Sequence, residues 1–209
     1  MSSWNYPVYT ALPAVGAAIA AGNAVVLKPS ELATHTSHAL QQLFKKYLDP
    51  RFYRIIEGGP STARYLTEGP SSLEENKENE EKVQKKDNIN LWDNFKSPFD
   101  LIIFTGSTEK GRKVAEAAGR RLVPCLLELG GKSPVIVDEG AALDMAADKI
   151  AFGRMSNCGQ TCVAPDYLFV HSSVKQVKMI TYFFVMNFLY IGISKQVERK
   201  DCEVLWLES

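Results

Sequence analysis

Two stretches of this chain hold residue types suited to covalent acyl chemistry. Glu128-Leu129-Gly130-Gly131-Lys132-Ser133-Pro134 sets a carboxylate beside a glycine turn after an apolar run. Asn157-Cys158-Gly159-Gln160-Thr161-Cys162 sets thiols in a small, polar, glycine-bearing stretch. A thiolate can attack a carbonyl carbon, and a carboxylate can activate the water that releases the acyl product. The lead-in Gly159-Gln160-Thr161 suits exposure, so Cys162 is the candidate nucleophile and Glu128 the candidate base. A buried, inert thiol is the usual fate of a cysteine and stays open on these residues alone. Cys158 and Cys162 stand four apart and would align on one face of a helix. A zinc site would need two further ligands, and His35, His38 and His171 lie elsewhere in the sequence, so no metal is expected.

Two further stretches suit a phosphorylated ligand. Gly106-Ser107-Thr108-Glu109-Lys110-Gly111 lies between a strand-like run and a helix-like run. There glycines admit an anion to the backbone and a helix start offers free N–H groups. It is neither a Walker A loop nor GxGxxG, and a plain strand-to-helix turn reads the same way. Lys28-Pro29-Ser30-Glu31 follows another strand-like run, where Lys28 and Glu31 could hold ribose hydroxyls. An ordinary solvated turn is the alternative.

The elements that must position these residues alternate. Residues 13–21 read as a small-residue helix stopped by Gly22, and residues 24–28 as a buried strand ended by Pro29. Leu40, Leu43, Phe44, Tyr47 and Leu48 recur at helical spacing. Residues 54–56, 100–104, 123–129, 135–137 and 167–170 read as strands, and 111–121 and 143–152 as helices. The expectation is an α/β fold with a mostly parallel sheet. Residues 68–98, dense in both charge signs, read as a disordered surface insertion. Residues after about 172, an apolar block at 179–193 and a charged tail, continue neither periodicity.

The 24 basic and 24 acidic residues balance, so nucleic acid is not an expected partner. The four cysteines form no CxxC pair, which suits free thiols in a reducing, cytoplasmic compartment. The 179–193 block is short for a membrane span, which needs roughly 17–25 residues; a membrane-associated chain is the alternative, not the favoured one.

Together these residues resemble the aldehyde dehydrogenase superfamily. Trp4-Asn5-Tyr6-Pro7 is similar to its PWNxP segment, Lys28-Pro29-Ser30-Glu31 to its KPSE turn, and residues 104–108 to its FTGST loop. Residues 128–134 match its ELGGKSP signature and residues 159–162 its GQxC signature. Residues 157–167 most resemble the class 3 and fatty-aldehyde branch, and the likeness covers about residues 3–172 outside the insertion.

The resemblance implies a partial aldehyde dehydrogenase fold: part of a Rossmann-like NAD-binding domain over 1–130, the start of a catalytic domain over 131–172, and a divergent tail over 173–209. It implies that Cys162 attacks an aldehyde, that the Asn5 amide and the Cys162 N–H form the oxyanion hole, and that Glu128 activates water. Lys28 and Glu31 would hold the adenosine ribose. Gly106, Ser107, Thr108, Glu109, Lys110 and Gly111 would hold the pyrophosphate, with Leu129 also at the cofactor. Glu31 should repel a 2′-phosphate, which favours NAD, although class 3 members often accept NADP. Family members are homo-oligomers and are much longer than this chain. Early cofactor-domain strands, the later residues that position the nicotinamide ribose and the dimer arm have no counterpart here. The second expectation is therefore a catalytically incomplete fragment or splice product without turnover.

Overall fold

The computed structural model describes residues 1–69, 99–174, 193–199 and 202–207, the last two stretches as backbone only. The chain divides into two units, Met1–Leu129 and Gly130–Ser209.

In the first unit, α1 (Leu12–Ala20) carries a proline in its first turn and ends at Gly22. Strand β1 (Val25–Leu27) pairs in parallel with β2 (Tyr53–Ile55), and α2 (Thr34–Tyr47) makes the crossover between them. The buried stripe of α2 is Ser37, Leu40, Gln41 and Phe44, spaced as one helix face requires. This corrects the sequence expectation. Leu43 and Tyr47 are exposed, and Leu48 already lies beyond the last turn. A helix α3 (Pro60–Glu68) follows, burying Thr62, Tyr65, Leu66 and Thr67.

Strand β3 (Ile102–Gly106) and β4 (Cys125–Leu129) form a second parallel pair joined by α4 (Thr108–Arg120). Between the two pairs runs the start of the chain. Met1 donates its amine to the Ile103 carbonyl at 2.7 Å, and the Thr105 N–H returns to the Met1 carbonyl at 3.1 Å. That alternation is the pattern of parallel pairing. On the other side the Ser2 N–H reaches the Lys28 carbonyl at 3.0 Å. The spatial order is therefore β2, β1, residues 1–2, β3, β4. The Met1 side chain packs against two core clusters, Ile56–Tyr65–Leu66 and Ile102–Phe104–Val114–Ala118.

In the second unit, β5 (Ser133–Val137) and β6 (Pro165–His171) are parallel, and α5 (Leu143–Met155) covers them. The core is Val137, Ala147, Ile150, Leu168, Val170 and Val174. Strands β7 (Ile193–Arg199) and β8 (Cys202–Leu207) complete an antiparallel edge in the order β5-β6-β8-β7. The sheet of this unit is thus mixed. The tail, whose sequence continues neither periodicity, supplies two of its strands, because backbone pairing of β8 to β6 and of β7 to β8 does not require an alternating apolar pattern. The 179–193 block falls outside the described residues apart from Ile193, as does the charged insertion beyond Gly69 up to Phe99.

Candidate active site

The first unit gathers the candidate cofactor residues at one sheet edge. The crossover from β1 leads away to β2, and that from β3 leads the opposite way to β4. The strand order therefore reverses between β1 and β3, and ligands of open α/β sheets bind at such a switch point, at the carboxyl ends of the strands. Lys28 leaves β1 there and Ser107 leaves β3 there.

Lys28 is buried rather than solvated; its ammonium donates to the Pro29 carbonyl at 2.8 Å and to Glu31 Oε2 at 3.1 Å. Ser30 caps the short turn that follows by accepting from the Leu32 N–H at 3.3 Å. Burial works to raise the Glu31 pKa. It is outweighed by a hydrogen bond from the residue's own backbone, by the Lys28 ammonium and by the charge of Lys110, so the carboxyl sits below its ordinary range. Lys110 lies in the first turn of α4, so the two stretches read separately in the sequence face each other here.

Ser107 is the cap of α4, its hydroxyl accepting from the Lys110 N–H at 3.4 Å. The helix starts at Thr108, earlier than its sequence pattern indicated, because this cap and Glu109 both favour a helix start. Glu109 is engaged along the helix, 3.1 Å from Lys113. Gly111 is buried against Leu129: a Cβ there would lie 2.5 Å from Leu129 Cδ2. Glu128 is exposed on β4 opposite Thr105, and Gly106 pairs with Leu129. Asn5 is half-buried, its Oδ1 accepting from Ser3 Oγ at 2.6 Å.

The second unit holds the thiol loop. Cys158 and Cys162 do not share a helix. Asn157, Cys158 and Gly159 all take left-handed backbone, with φ of 52°, 57° and 76°, so α5 stops before them. The loop clasps itself through Gln160 Nε2 to the Asn157 carbonyl at 3.1 Å and Asn157 Nδ2 to the Gln160 carbonyl at 3.4 Å. Thr161 N–H bonds the Gly159 carbonyl at 2.8 Å, and Ala164 N–H bonds the Thr161 carbonyl at 3.0 Å. Both thiols are free and exposed.

Two contacts fix the loop's surroundings. A Cβ on Gly159 would stand 3.3 Å from the Arg154 carbonyl, and one on Gly131 would stand 3.9 Å from the Cys162 carbonyl oxygen. A glycine of the first signature thus lies near the main chain of the second. Among the described residues no group of three or more metal-ligating side chains occurs. Sequence reasoning missed the pairing of residues 1–2 inside the sheet and an ion pair between Lys132 and Asp166. A buried-face carboxylate on a strand that otherwise alternates could have signalled the second.

The sequence model of the aldehyde dehydrogenase family matches residues 1–72 and 96–183, so the chain belongs to the aldehyde dehydrogenase family. The match skips residues 73–95, within the charged stretch, and continues past residue 172, where the resemblance was expected to end. The chain is 42% identical over 177 residues to "Aldehyde dehydrogenase family 3 member A2" of Mus musculus, covering 84% of this chain and 30% of that protein. It is 40% identical over 176 residues to "Aldehyde dehydrogenase, dimeric NADP-preferring" of the same species, covering 84% and 32%.

Among solved structures, Mycobacterium tuberculosis aldehyde dehydrogenase complexed with NAD+ superimposes with a TM-score of 0.71 at 28% identity, covering 90% of this chain and 33% of that one. The fold is therefore a mixed α/β part of the aldehyde dehydrogenase fold, and the chain spans about a third of the length of the relatives it matches. Among the described residues no helix is long and apolar enough to cross a membrane.

Proposed function

We propose that this chain carries the nucleophile and the base of NAD(P)-dependent oxidation of an aldehyde to a carboxylic acid. The observation that carries the reading is Cys162, a free, exposed thiol on a self-clasped loop that passes near Gly131 of the glutamate-bearing signature. Cys162 Sγ adds to the aldehyde carbon to give a thiohemiacetal. The Asn5 amide and the Cys162 N–H stabilise the developing oxyanion, one such donor being worth about 2.7–4 kcal/mol. A bound nicotinamide cofactor supplies the hydride acceptor. Glu128 then takes a proton from the water that hydrolyses the thioester, regenerating the thiol.

The residues at the switch point fit a dinucleotide. Ser2 Oγ is buried there without a hydrogen-bond partner among the described residues, and Glu31 is held ionised beside Lys28 and Lys110. Lys28 and Glu31 would hold the adenosine ribose, residues 106–111 the pyrophosphate, and Leu129 would line the site. A mouse relative named NADP-preferring and a neighbour complexed with NAD+ support either cofactor. Purified chain should form NADH from a medium-chain aldehyde and NAD, and Cys162→Ala should abolish it. Equal rates from the two proteins would overturn the role of Cys162.

A second reading, binding without turnover, draws on the exposed apolar side chains of the second unit, Ile136 at 77%, Phe152 at 75% and Val163 at 71%. NAD would then raise the thermal unfolding temperature while no NADH formed.

A further inference from the structure

We infer that Lys132 and Asp166 are positioning residues for Cys162, an ionic tie that holds the Gly130-Gly131 segment against the thiol loop. Asp166 lies on the buried face of β6 with Leu168 and Val170. A carboxylate in that row needs a partner to offset its lost hydration. The Lys132 ammonium supplies it, 3.1 Å from Oδ1 and 3.0 Å from Oδ2, while its own stem stays largely in solvent.

The strand register explains how the carboxylate comes to be aimed this way. Ser133 pairs with Pro165, but Pro134 pairs with Tyr167, so Asp166 is the extra residue of a bulge. Pro134 has no N–H for the ladder, and a bulge is the usual device that re-aims a side chain where pairing is interrupted. Asp166 is four residues after Cys162, and Lys132 is the neighbour of Gly131, where an added Cβ would stand 3.9 Å from the Cys162 carbonyl oxygen. The ion pair therefore closes a ring through 131–132 and 162–166. Gly130, by contrast, has open space where a side chain would stand. On the other flank the loop rests on α5, through Gly159 on Arg154 and Gly153 on Pro165. Cutting the ion pair releases the glycine side and leaves the α5 side in place.

The inference rests on Cys162 being the reactive thiol, and its test is read without aldehyde or cofactor. In the full chain, the iodoacetamide alkylation rates of Cys162 and Cys158 are measured separately by peptide mass spectrometry, alongside amide hydrogen exchange over 159–164. Lys132→Met and Asp166→Asn should each change the Cys162 rate relative to Cys158 and speed exchange of the Thr161 and Ala164 amides, by about two- to fivefold, as a half-exposed ion pair allows. Lys132→Arg should restore both. An unchanged Cys162:Cys158 ratio in both variants, or equal changes without rescue by arginine, overturns the positioning role. Failure of Cys162→Ala to affect turnover would instead overturn the nucleophile, with the alkylation result still standing.

Discussion

Gly111 and Leu129 touch so closely that a methyl group on the glycine would stand 2.5 Å from Leu129 Cδ2 and 3.2 Å from Cδ1. Helix α4 can approach the end of β4 only because residue 111 lacks a side chain. The expected outcome is a coupling: Gly111→Ala should cost about 1–3 kcal/mol through overpacking with leucine at 129, and clearly less in a Leu129→Ala background. Urea unfolding of the four proteins in the cycle measures it. A coupling below about 0.5 kcal/mol would mean that the leucine simply turns aside.

The amine of Met1 lies between two sheet pairs, where burial first and the Lys28 charge second lower its pKa from 8.0 to about 5. Above pH 8 the amine is neutral in both folded and unfolded chains. Between pH 8 and 5 the unfolded chain takes up a proton that the fold refuses, so stability falls as the pH drops through that window and levels off below it. The upper bound is about 4 kcal/mol at 1.36 kcal/mol per unit. Denaturant unfolding of the chain with a free amine across this range should show the fall; a flat profile would remove the amine from the account.

Glu31 works in the same direction, in a more acidic window. Its carboxyl is depressed in the fold, so its contribution is present above the ordinary carboxylate range and is lost as acid protonates it. The side chain is about one-third exposed, at 36%, which limits the effect to under about 1 kcal/mol. Glu31→Gln should therefore be less stable than wild type at neutral pH and equal to it in acid. The same variant should weaken NAD binding, as calorimetry would show, if the carboxylate holds the ribose.

Leu122 ends α4 in left-handed backbone, φ 56°, with its N–H on the Gly119 carbonyl and that of Val123 on the Ala118 carbonyl. This is the closing motif that glycine serves best, and Leu122 is 92% exposed, so its side chain contributes little packing. Leu122→Gly should stabilise the chain by about 1 kcal/mol, raising the thermal midpoint. A lower midpoint would show that the leucine is covered in solution.

Gly159 combines a φ of +76° with the nearby Arg154 carbonyl. Gly159→Ala should cost about 1–2 kcal/mol of left-handed strain and should speed amide exchange of Gln160 and Thr161. Unaltered exchange would show that the loop holds its shape without the glycine.

The α/β alternation was legible because β1, β3 and β4 are short apolar runs and α4 and α5 carry helical spacing. Helix α3 was missed, although Gly59 before Pro60 is a helix start, because Pro60–Glu68 is only weakly apolar. The two strands after residue 192 were illegible for a different reason: β8 pairs with β6 and β7 with β8, and backbone pairing leaves little trace in side-chain pattern. The candidate site was legible as motifs and illegible as geometry. Lys28, Glu31 and Lys110 could each be named, but only the reversal of strand order brings Glu31 under the charge of Lys110. The left-handed run at Asn157 and Cys158 had only a weak signal, since asparagine tolerates a positive φ but cysteine does not announce one as a glycine would.

The pairing of residues 1–2 with β3 has a temporal side. The Met1 amine and its acceptor on Ile103 are 102 residues apart in sequence. At roughly 5–20 residues per second, synthesis leaves the first segment waiting on the order of ten seconds for the strand it pairs with. Until then the β1 edge stands uncovered, a slot that another chain's strand could fill. Aggregation during expression should therefore depend on how fast β3 arrives, and slowing translation just upstream of it should lower the soluble yield.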